Sequence, residues 1–215
     1  MNSGGAAASL TIMHEAAQLH LSKADRVLAR VIREVGPCTM RPRRNCPPFQ
    51  SLVQAVTHQQ LNGTAAQTIL KRFIALFPGQ KFPTPVAIVS ATDERLRSAG
   101  LSRAKTAAIK DIAHRTTTGH VPTRREAARL SDEELVARLT EIRGVGPWTV
   151  EMFLIFTLGR RDVLPVGDYG VRCGFAKAYG WKELPTPKEL VAEGECWRPY
   201  RSIAAWYMWR VLDAK

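Results

Sequence analysis

The sequence predicts an all-α fold of about ten helices. Apolar residues recur at helical spacing in successive segments, and residues that favour helix starts precede several of these segments. The sustained alternation of apolar and polar residues that indicates β-strands does not occur in the sequence. Because 45% of the 215 residues are hydrophobic, the chain can bury a sizeable core, and we expect one compact, two-lobed unit.

The N-terminal part predicts one helix and one irregular connection. Residues 1–9 are small and polar, and we expect them to be frayed. A helix is predicted to start with Ser22 as its N-cap and to end at Gly36. Its inward face would contain Val27, Leu28, Val31, Ile32 and Val35. The connection from Pro37 to Pro48 contains Arg41, Arg43 and Arg44, and it is either a phosphate-contacting segment or a solvated loop.

Two further helices, Phe49 to Gln60 and Thr64 to Phe77, flank an amide-rich turn. The turn is His58-Gln59-Gln60-Leu61-Asn62-Gly63, which a purely structural account explains by helix capping. Beyond it, short helices are predicted at Thr84 to Ala91 and Thr92 to Ala99, a longer one from Ser102 to about His114, and another from a capping box of Ser131 and Glu134 to Ile142.

A glycine-rich turn follows that last helix. Gly144-Val145-Gly146 precede Pro147, a residue type favoured at the first position of a helix because its missing N–H would have no partner there. The pattern therefore predicts a helix, a tight hairpin and a second helix. Glycines let backbone approach a ligand closely, and the free N–H groups at a helix start carry positive dipole character, so the unit suits a phosphate.

Asp168 is an isolated carboxylate at a predicted helix start. A short apolar segment from Val163 to Pro165 is broken by Pro165 and Gly167, and Asp168 then stands where the next helix should start. From the local sequence alone, an ordinary N-cap explains Asp168 as well as a functional carboxylate does.

The charge balance points to a polyanionic partner. Lys and Arg number 31 against 19 Asp and Glu, which gives a net charge of +12 and a pI near 10.1. Generic surface charge is the alternative. No apolar run approaches the ~18 residues of a membrane span, and the N-terminus does not have the pattern of a secretory signal. We therefore expect an intracellular protein, in the cytoplasm or nucleoid of a bacterium.

The four cysteines, Cys38, Cys46, Cys173 and Cys196, form no CxxC pair and no closely spaced set. This spacing argues against a zinc ribbon and against an iron–sulfur cluster. We expect reduced, mostly structural thiols and no metal or other cofactor.

Five motifs, taken together and in this order, resemble those of one family: SLVQAVTHQQLNGTAAQTIL, GLSRAKTAAI, GVGPWT, LPVGDYGVR and WRPYRSIAAWYMW. They are similar to the helix-hairpin-helix (HhH-GPD) superfamily of DNA glycosylases, within it to the alkylation-repair branch called 3-methyladenine DNA glycosylase II. The resemblance implies a central helical lobe at about 50–165 and a second lobe made of 10–48 and 166–215. Since only about 48 residues precede Phe49, we expect the short form, without the additional β-rich domain of longer relatives.

The resemblance implies that Asp168 is the catalytic carboxylate. As an N-glycosidic bond is cleaved, positive charge develops on the sugar, and one fixed carboxylate stabilises that charge. An ionised aspartate can also orient or activate the attacking water. The resemblance also places Trp148, Tyr169 and Trp209 around the flipped base, where ring faces attract cationic alkylated purines. Met152 stands where a familiar relative has an aromatic residue, so the pocket and its substrate range are expected to differ.

The resemblance further implies how the protein holds DNA. The amide-rich turn matches the turn that enters the minor groove, where Gln60, beside Gln59 and Leu61, would fill the hole left by the extruded nucleotide. The hairpin residues implied to bind the DNA backbone are Gly144, Val145, Gly146 and Thr149. Lys105, with Gly100 to Ser102, matches a loop near the DNA backbone. His58 either contacts the lesion strand or, as we favour, is a structural residue.

Two further points concern charged groups. Arg172, Arg198 and Arg201 either reach phosphates or brace Asp168, and the second role is favoured for at least one of them. In strand-nicking relatives a lysine stands two positions after the second hairpin glycine. That position here is Trp148, so the resemblance implies a monofunctional enzyme.

The sequence thus predicts a monomeric, monofunctional DNA glycosylase that flips out alkylated purines, of the 3-methyladenine and 7-methylguanine type, from damaged double-stranded DNA and leaves an abasic site. Two alternatives stay open. One is a glycosylase for oxidised or mispaired bases, which the departure at Met152 keeps possible. The other is a noncatalytic helix-hairpin-helix DNA-binding module, which would explain the charge and the hairpin but would not need Asp168, Trp148 and the amide-rich turn together.

Overall fold

The computed structural model describes residues 3–43, 45–61 and 63–213, and within these ranges every regular element is helical. The predicted all-α class is confirmed, with thirteen α-helices in the described residues. Their bounds are α1 Ser3–Ala24, α2 Arg26–Val35, α3 Pro48–His58, α4 Gly63–Ala75, α5 Pro85–Ser90, α6 Asp93–Arg97, α7 Arg103–Thr117, α8 Arg124–Ala127, α9 Asp132–Thr140, α10 Pro147–Phe153, α11 Tyr169–Tyr179, α12 Pro187–Glu193 and α13 Arg201–Asp213. A π-helical turn, Leu154–Leu158, extends α10, and a 3-10 turn, Gly194–Trp197, follows α12.

The chain forms two compact units. The first comprises the described residues up to Arg41 and from Arg160 onward, and it contains α1, α2 and α11 to α13. The second runs from Pro42 to Gly159 and contains α3 to α10. The second unit includes part of the proline-rich connection because the Arg43 N–H donates to the carbonyl of Phe156, 2.8 Å away, in the π-helical turn.

Several predicted helix starts are confirmed at the atomic level. Thr84, Thr92 and Ser102 each accept a hydrogen bond from a backbone N–H three residues further on. Ser131 forms the predicted capping box with Glu134. These caps satisfy N–H groups that have no partner inside the helix, which is why the side chains determine where each helix begins.

The N-terminal prediction is wrong in two respects. Residues expected to be frayed belong to α1, which begins at Ser3 and is rich in alanine, the residue with the highest helix propensity. Residues 1 and 2 lie outside the described residues. The N-cap of α2 is Asp25, not Ser22, which lies within α1. The Asp25 Oδ1 accepts hydrogen bonds from the N–H groups of Val27 at 2.9 Å and Leu28 at 3.0 Å.

The second carboxylate oxygen of Asp25 explains why it takes the cap position. Its Oδ2 accepts hydrogen bonds from the Tyr179 hydroxyl and from Trp197 Nε1, the latter at 2.9 Å. Burial, together with the hydrogen bond to Asp25, raises the pKa of Tyr179 far above its usual range. One carboxylate therefore joins α2, α11 and the 3-10 turn of the first unit.

Two short helices, α8 and α12, were not predicted. Each begins with a capping box, Thr123 with Glu126 and Thr186 with Glu189. The signal was therefore present in the sequence, but helices this short show too little apolar periodicity to stand out. Arg44 and Asn62, which the predictions for the connection and the turn included, lie outside the described residues.

The core of the first unit depends on close packing of α11 against α13. Gly174 is buried in α11, and a Cβ at this position would lie 2.0 Å from the carbonyl oxygen of Met208 in α13. Such a distance is impossible, so only glycine permits this helix separation. On α13, Met208 and Tyr207 are fully buried, and the Tyr207 hydroxyl donates to the carbonyl of Gly36 at 3.0 Å.

The core of the second unit combines aromatic and aliphatic side chains. Phe73, which is fully buried, meets Phe77 and Phe82 edge-on at ring-centroid distances of 5.8 and 6.3 Å. The hydroxyls of Ser51 and Thr157, both buried, form a 2.6 Å hydrogen bond that joins α3 to the π-helical turn. None of the described helices is both long and apolar enough to cross a lipid bilayer.

We predict that Gly174→Ala lowers the thermal stability of the protein. The added methyl group must push α13 away from α11, and overpacking of this kind costs about 1–3 kcal/mol, which corresponds to a fall in Tm of several degrees for a chain of this size. Gly63→Ala is the matched control, because a Cβ at Gly63 meets no atom within 4 Å. Equal Tm values for the two variants in calorimetry would contradict the predicted helix contact.

Candidate active site and nucleic-acid interface

Asp168 is the N-cap of α11, and two donors meet on one of its oxygens. The Asp168 Oδ1 accepts a hydrogen bond from the Val171 N–H at 2.8 Å and another from Trp209 Nε1 at 2.9 Å. The first bond is the ordinary capping contact expected from the local sequence. The second comes from α13 and fixes the orientation of the carboxylate beyond what a cap requires.

Gly170 makes this arrangement possible. A Cβ at Gly170 would lie 3.0 Å from Trp209 Cδ1 and 3.1 Å from Asp168 Oδ1. A side chain would therefore press on both partners of the indole–carboxylate hydrogen bond. Sequence reasoning missed Gly170 and Gly174, although their spacing of four residues, which puts both on one helix face, was a readable signal.

The two aromatic residues nearest Asp168 differ in exposure. Trp209 is half-buried, while Tyr169 is 71% exposed although it follows Asp168 directly in α11. Trp209 is thus held by its bond to the carboxylate, and Tyr169 presents its ring to solvent. The other two predicted pocket residues, Trp148 and Met152, are half-buried on α10 in the second unit.

The expectation that one of the three arginines braces Asp168 is wrong. Arg201 Nε donates to Asp162 Oδ1 and Arg198 Nη1 to Asp162 Oδ2, both at 2.7 Å. Arg172 Nε donates to the carbonyl of Pro185 at 2.7 Å. The carboxylate of Asp162 therefore binds both arginines of the WRPYR segment. Asp168 is instead supported by the hydrogen bond from the Trp209 indole.

The predicted hairpin lies between α9 and α10. Gly144 has a φ of +74°, and a Cβ there would lie 2.7 Å from the Cβ of Ala108, so this position requires glycine for two reasons. Gly146 is different, because its φ is −95° and a Cβ would meet no atom within 4 Å. Val145 is buried, and Pro147 is the first residue of α10, as predicted.

Polar side chains of α7 and of the amide-rich turn bond to the hairpin and to the start of α10. Asp111 Oδ2 on α7 accepts the N–H of Arg143 at 2.8 Å. Gln59 Nε2 donates to the carbonyl of Gly144 at 3.0 Å and to the hydroxyl of Thr149 at 2.9 Å. The hairpin is therefore anchored to α7 and to the amide-rich turn.

The amide-rich turn separates its residues into an exposed pair and an inward-facing one. Among the described residues, Gln60 is the one non-glycine with a positive φ, +56°. Its side chain is exposed, and that of Leu61 is 38% exposed. Gln59, predicted with them as part of the wedge, instead points its amide at the hairpin. The structure thus groups Gln60 with Leu61, and Gln59 with Gly144 and Thr149.

His58 and Lys105 both contact the protein itself. His58 Nδ1 is 2.8 Å from the carbonyl of Gln54, which agrees with the structural interpretation of this histidine. Lys105 Nζ donates to the carbonyls of Thr57 and Gln59, each at 2.8 Å. Burial lowers the pKa of the Lys105 ammonium. Nothing in the sequence around Lys105 signalled these contacts.

The cysteine side chains are free thiols. Burial raises the pKa of Cys38 to about 11, and burial also raises the pKa of Cys46, so both are inert, neutral core groups at neutral pH. Within the described part of the chain, no three His, Cys, Asp or Glu side chains stand together in a way that could hold a metal ion.

Comparison with known proteins gives consistent matches. The model of the family described as "HhH-GPD superfamily base excision DNA repair protein" matches residues 53–199. DNA-3-methyladenine glycosylase 1 of Schizosaccharomyces pombe is 41% identical over 197 residues, which are 90% of this chain and 86% of that protein. The alkylbase DNA glycosidase-like protein mag2 of the same yeast is 33% identical over 199 residues, 92% and 93% of the two chains.

Among solved structures, the chain is similar to S. pombe 3-methyladenine DNA glycosylase Mag1 in complex with abasic DNA. The TM-score is 0.85 at 40% identity, over 91% of this chain and 95% of that one. A DNA-3-methyladenine glycosidase from Bacillus halodurans gives a TM-score of 0.78 at 33% identity, over 91% and 88% of the two chains.

The two hairpin glycines should respond differently to substitution. Gly144→Ala must distort the hairpin, and we expect it to weaken binding to damaged and undamaged duplexes alike, by about tenfold, because the predicted contacts of backbone N–H groups with phosphate would not depend on the base sequence. Gly146→Ala should keep the Tm of the wild type. Fluorescence anisotropy with both duplexes, together with Tm, checks this.

The Gly146→Ala variant also reports on ligand approach. A loss of duplex affinity at unchanged Tm would show that DNA comes within contact distance of residue 146. If Gly144→Ala lost affinity only for the damaged duplex, Gly144 would belong to base recognition and the predicted phosphate role would be wrong.

Proposed function

The chain belongs to the HhH-GPD superfamily of base excision DNA repair proteins, and from this we propose that it is a monofunctional DNA glycosylase for alkylated purines. Its substrates are N3- and N7-alkylated purines, of the 3-methyladenine and 7-methylguanine type, in double-stranded DNA. The products are the free base and an intact strand with an abasic site. The observation that carries the proposal is the Asp168 carboxylate at the start of α11, oriented by the Val171 and Trp209 N–H groups.

A fixed carboxylate supplies what the reaction requires. As the N-glycosidic bond breaks, positive charge develops at C1′ of the sugar, and a preorganised negative charge stabilises that transition state without having to reorient. The N–H donors of Val171 and Trp209 carry no charge, so they orient the oxygen without neutralising it. The same carboxylate can direct a water molecule to C1′.

Alkylation of the base removes the need for a strong general acid. A purine alkylated at N3 or N7 carries a formal positive charge and departs as a neutral base. We propose that Trp148, Tyr169 and Trp209 contact it through their ring faces, at roughly 0.5–2 kcal/mol for each cation–π contact. Because Trp209 Nε1 is bonded to Asp168, this residue meets a base with its ring and not with its N–H. Met152 adds a polarisable thioether.

We propose that the second unit grips the DNA. The hairpin from Gly144 to Gly146 would present backbone N–H groups to a phosphate, and Gln60 with Leu61 would enter the minor groove and replace the extruded nucleotide. The net charge of +12 supports salt-dependent attraction to the duplex. We further propose that the protein works as a monomer, in the compartment that holds the genomic DNA.

The lesion range is the point on which the alternatives differ. A panel of duplexes, each with a single modified base, should be incubated with the protein and then treated with alkali. We expect strand breaks at alkylated purines. Breaks only at oxidised or mispaired bases would favour the other glycosylase class, and breaks at none of the bases would leave a noncatalytic DNA-binding module.

We predict that Asp168→Asn abolishes excision but preserves folding and DNA binding. Asparagine caps helices as well as aspartate does, and its amide oxygen can still accept the Val171 and Trp209 hydrogen bonds, so Tm and duplex affinity should change little. Loss of the negative charge should lower the single-turnover excision rate on the order of a hundredfold or more.

Asp162→Asn serves as the matched control for Asp168→Asn, since it removes a carboxylate of the same unit that pairs with Arg198 and Arg201. It is expected to lower stability and to leave the rate of the chemical step within threefold of wild type. An Asp168→Asn enzyme that excises within threefold of wild type would reject the assignment of Asp168.

Borohydride trapping during turnover tests whether a lysine amine attacks the sugar and forms a Schiff base. Trp148 stands at the position of the lysine found in strand-nicking relatives, so no Schiff base should form and the product strand should stay unbroken until heat or alkali is applied. Lys177, the nearest alternative amine along the chain, donates to the carbonyl of Val211 at 2.9 Å. A covalent protein–DNA adduct formed in proportion to excision would overturn the monofunctional proposal.

A further inference from the structure

The end of α3 holds an unfavourable backbone conformation. Gln60 lies in the left-handed region at φ +56°, which is unfavourable for an L-residue with a long side chain. Glycine or asparagine adopts this conformation more readily, yet the turn has glutamine. Other contacts must therefore hold the turn in place.

Lys105 supplies two of these contacts. It lies in the first turn of α7, and its ammonium group donates to the carbonyls of Thr57 and Gln59, each at 2.8 Å. Both carbonyls belong to the last residues of α3 and its cap, where intrahelical donors have run out. A cation at a helix C-terminus is also favoured by the helix dipole. The lysine thus bonds to the backbone on the N-terminal side of Gln60.

Gln59 connects the same turn to the hairpin. Its backbone carbonyl accepts from Lys105, while its side-chain Nε2 donates to Gly144 and Thr149. The Leu61 N–H donates to the carbonyl of His58 at 3.3 Å, which closes the turn around Gln60. Loss of the lysine would release a segment that is bonded directly to the hairpin.

We propose that Lys105 is a positioning residue, which holds the end of α3 in the form that presents Gln60 to DNA. This inference rests on the proposed function, and it differs from a direct contact between Lys105 and a DNA phosphate, which a loop near the DNA backbone could also make. The two roles require different things of the lysine. A phosphate contact needs the ammonium group to face solvent, whereas the positioning role needs it bonded to the Thr57 and Gln59 carbonyls, as observed.

The test compares Lys105→Met with Arg103→Met. Both variants remove one positive charge from the first turn of α7, but Arg103 is exposed and lies two residues before Lys105, which makes the contacts with the α3 carbonyls. Three quantities are measured for each: hydrogen exchange of the Leu61 amide without DNA, single-turnover excision from a duplex with 7-methylguanine, and the salt dependence of binding to an undamaged duplex.

For Lys105→Met we expect at least tenfold faster exchange at Leu61 and at least tenfold slower excision, with a salt slope equal to that of Arg103→Met. Arg103→Met should leave exchange and excision as in the wild type. Lys105→Arg, which keeps a charged donor, should recover part of both losses, and it serves as the second variant if Lys105→Met does not fold.

Two results would overturn the proposal. One is unchanged exchange at Leu61 in Lys105→Met. The other is weaker binding to every duplex with a salt slope reduced by about one compared with Arg103→Met, which identifies a phosphate contact. If the wild-type protein excises no base, the proposed function fails, and the exchange measurement still decides whether Lys105 holds the turn.

Discussion

The close approach of α13 to α11 is the constraint on which the carboxylate site depends. Gly170 and Gly174 lie on one face of α11, where side chains would stand 3.0 Å from the Trp209 ring and 2.0 Å from the Met208 carbonyl. Without those side chains the indole N–H reaches Asp168. The position of a charge in this protein is therefore determined by a contact between helix backbones, and a change in helix separation would move the donor away from the carboxylate.

Much of the fold was predictable because the capping contacts that start a helix join residues close together in the sequence. Ser102 caps α7 by accepting the N–H of Lys105, three residues away, and such pairs can be found in the sequence. The ammonium group of the same Lys105 binds carbonyls 46 and 48 residues away, which no local pattern indicates. The choice of Asp25 over Ser22 as a cap has the same explanation, since the deciding partner includes Trp197, far along the chain.

The sequence predicted where the Asp168 carboxylate of the candidate site lies but not which side chains it contacts. The position of Asp168 at a helix start was visible in the sequence, and the structure confirms it. Its contact with Trp209 was not visible, because the aromatic ring was expected to serve the base alone. At least one of three arginines was expected to brace Asp168, but Arg201 instead binds Asp162, a pairing that becomes visible only in the folded chain. Gln59 and its neighbour Gln60 have the same side chain, yet the Gln59 amide bonds to the hairpin while the Gln60 side chain is exposed, and no local sequence signal separates the two.

Under the DNA-contacting role proposed for Gln60, its left-handed backbone sets stability against activity. Glycine or asparagine at this position would relax the backbone and raise the free energy of unfolding, as substitutions that relieve strain commonly do. Either residue would also shorten the group that the turn presents, by the whole side chain or by one methylene. Under the proposed role of Gln60, a selection for heat resistance and a selection for repair would enrich different residues at this one position.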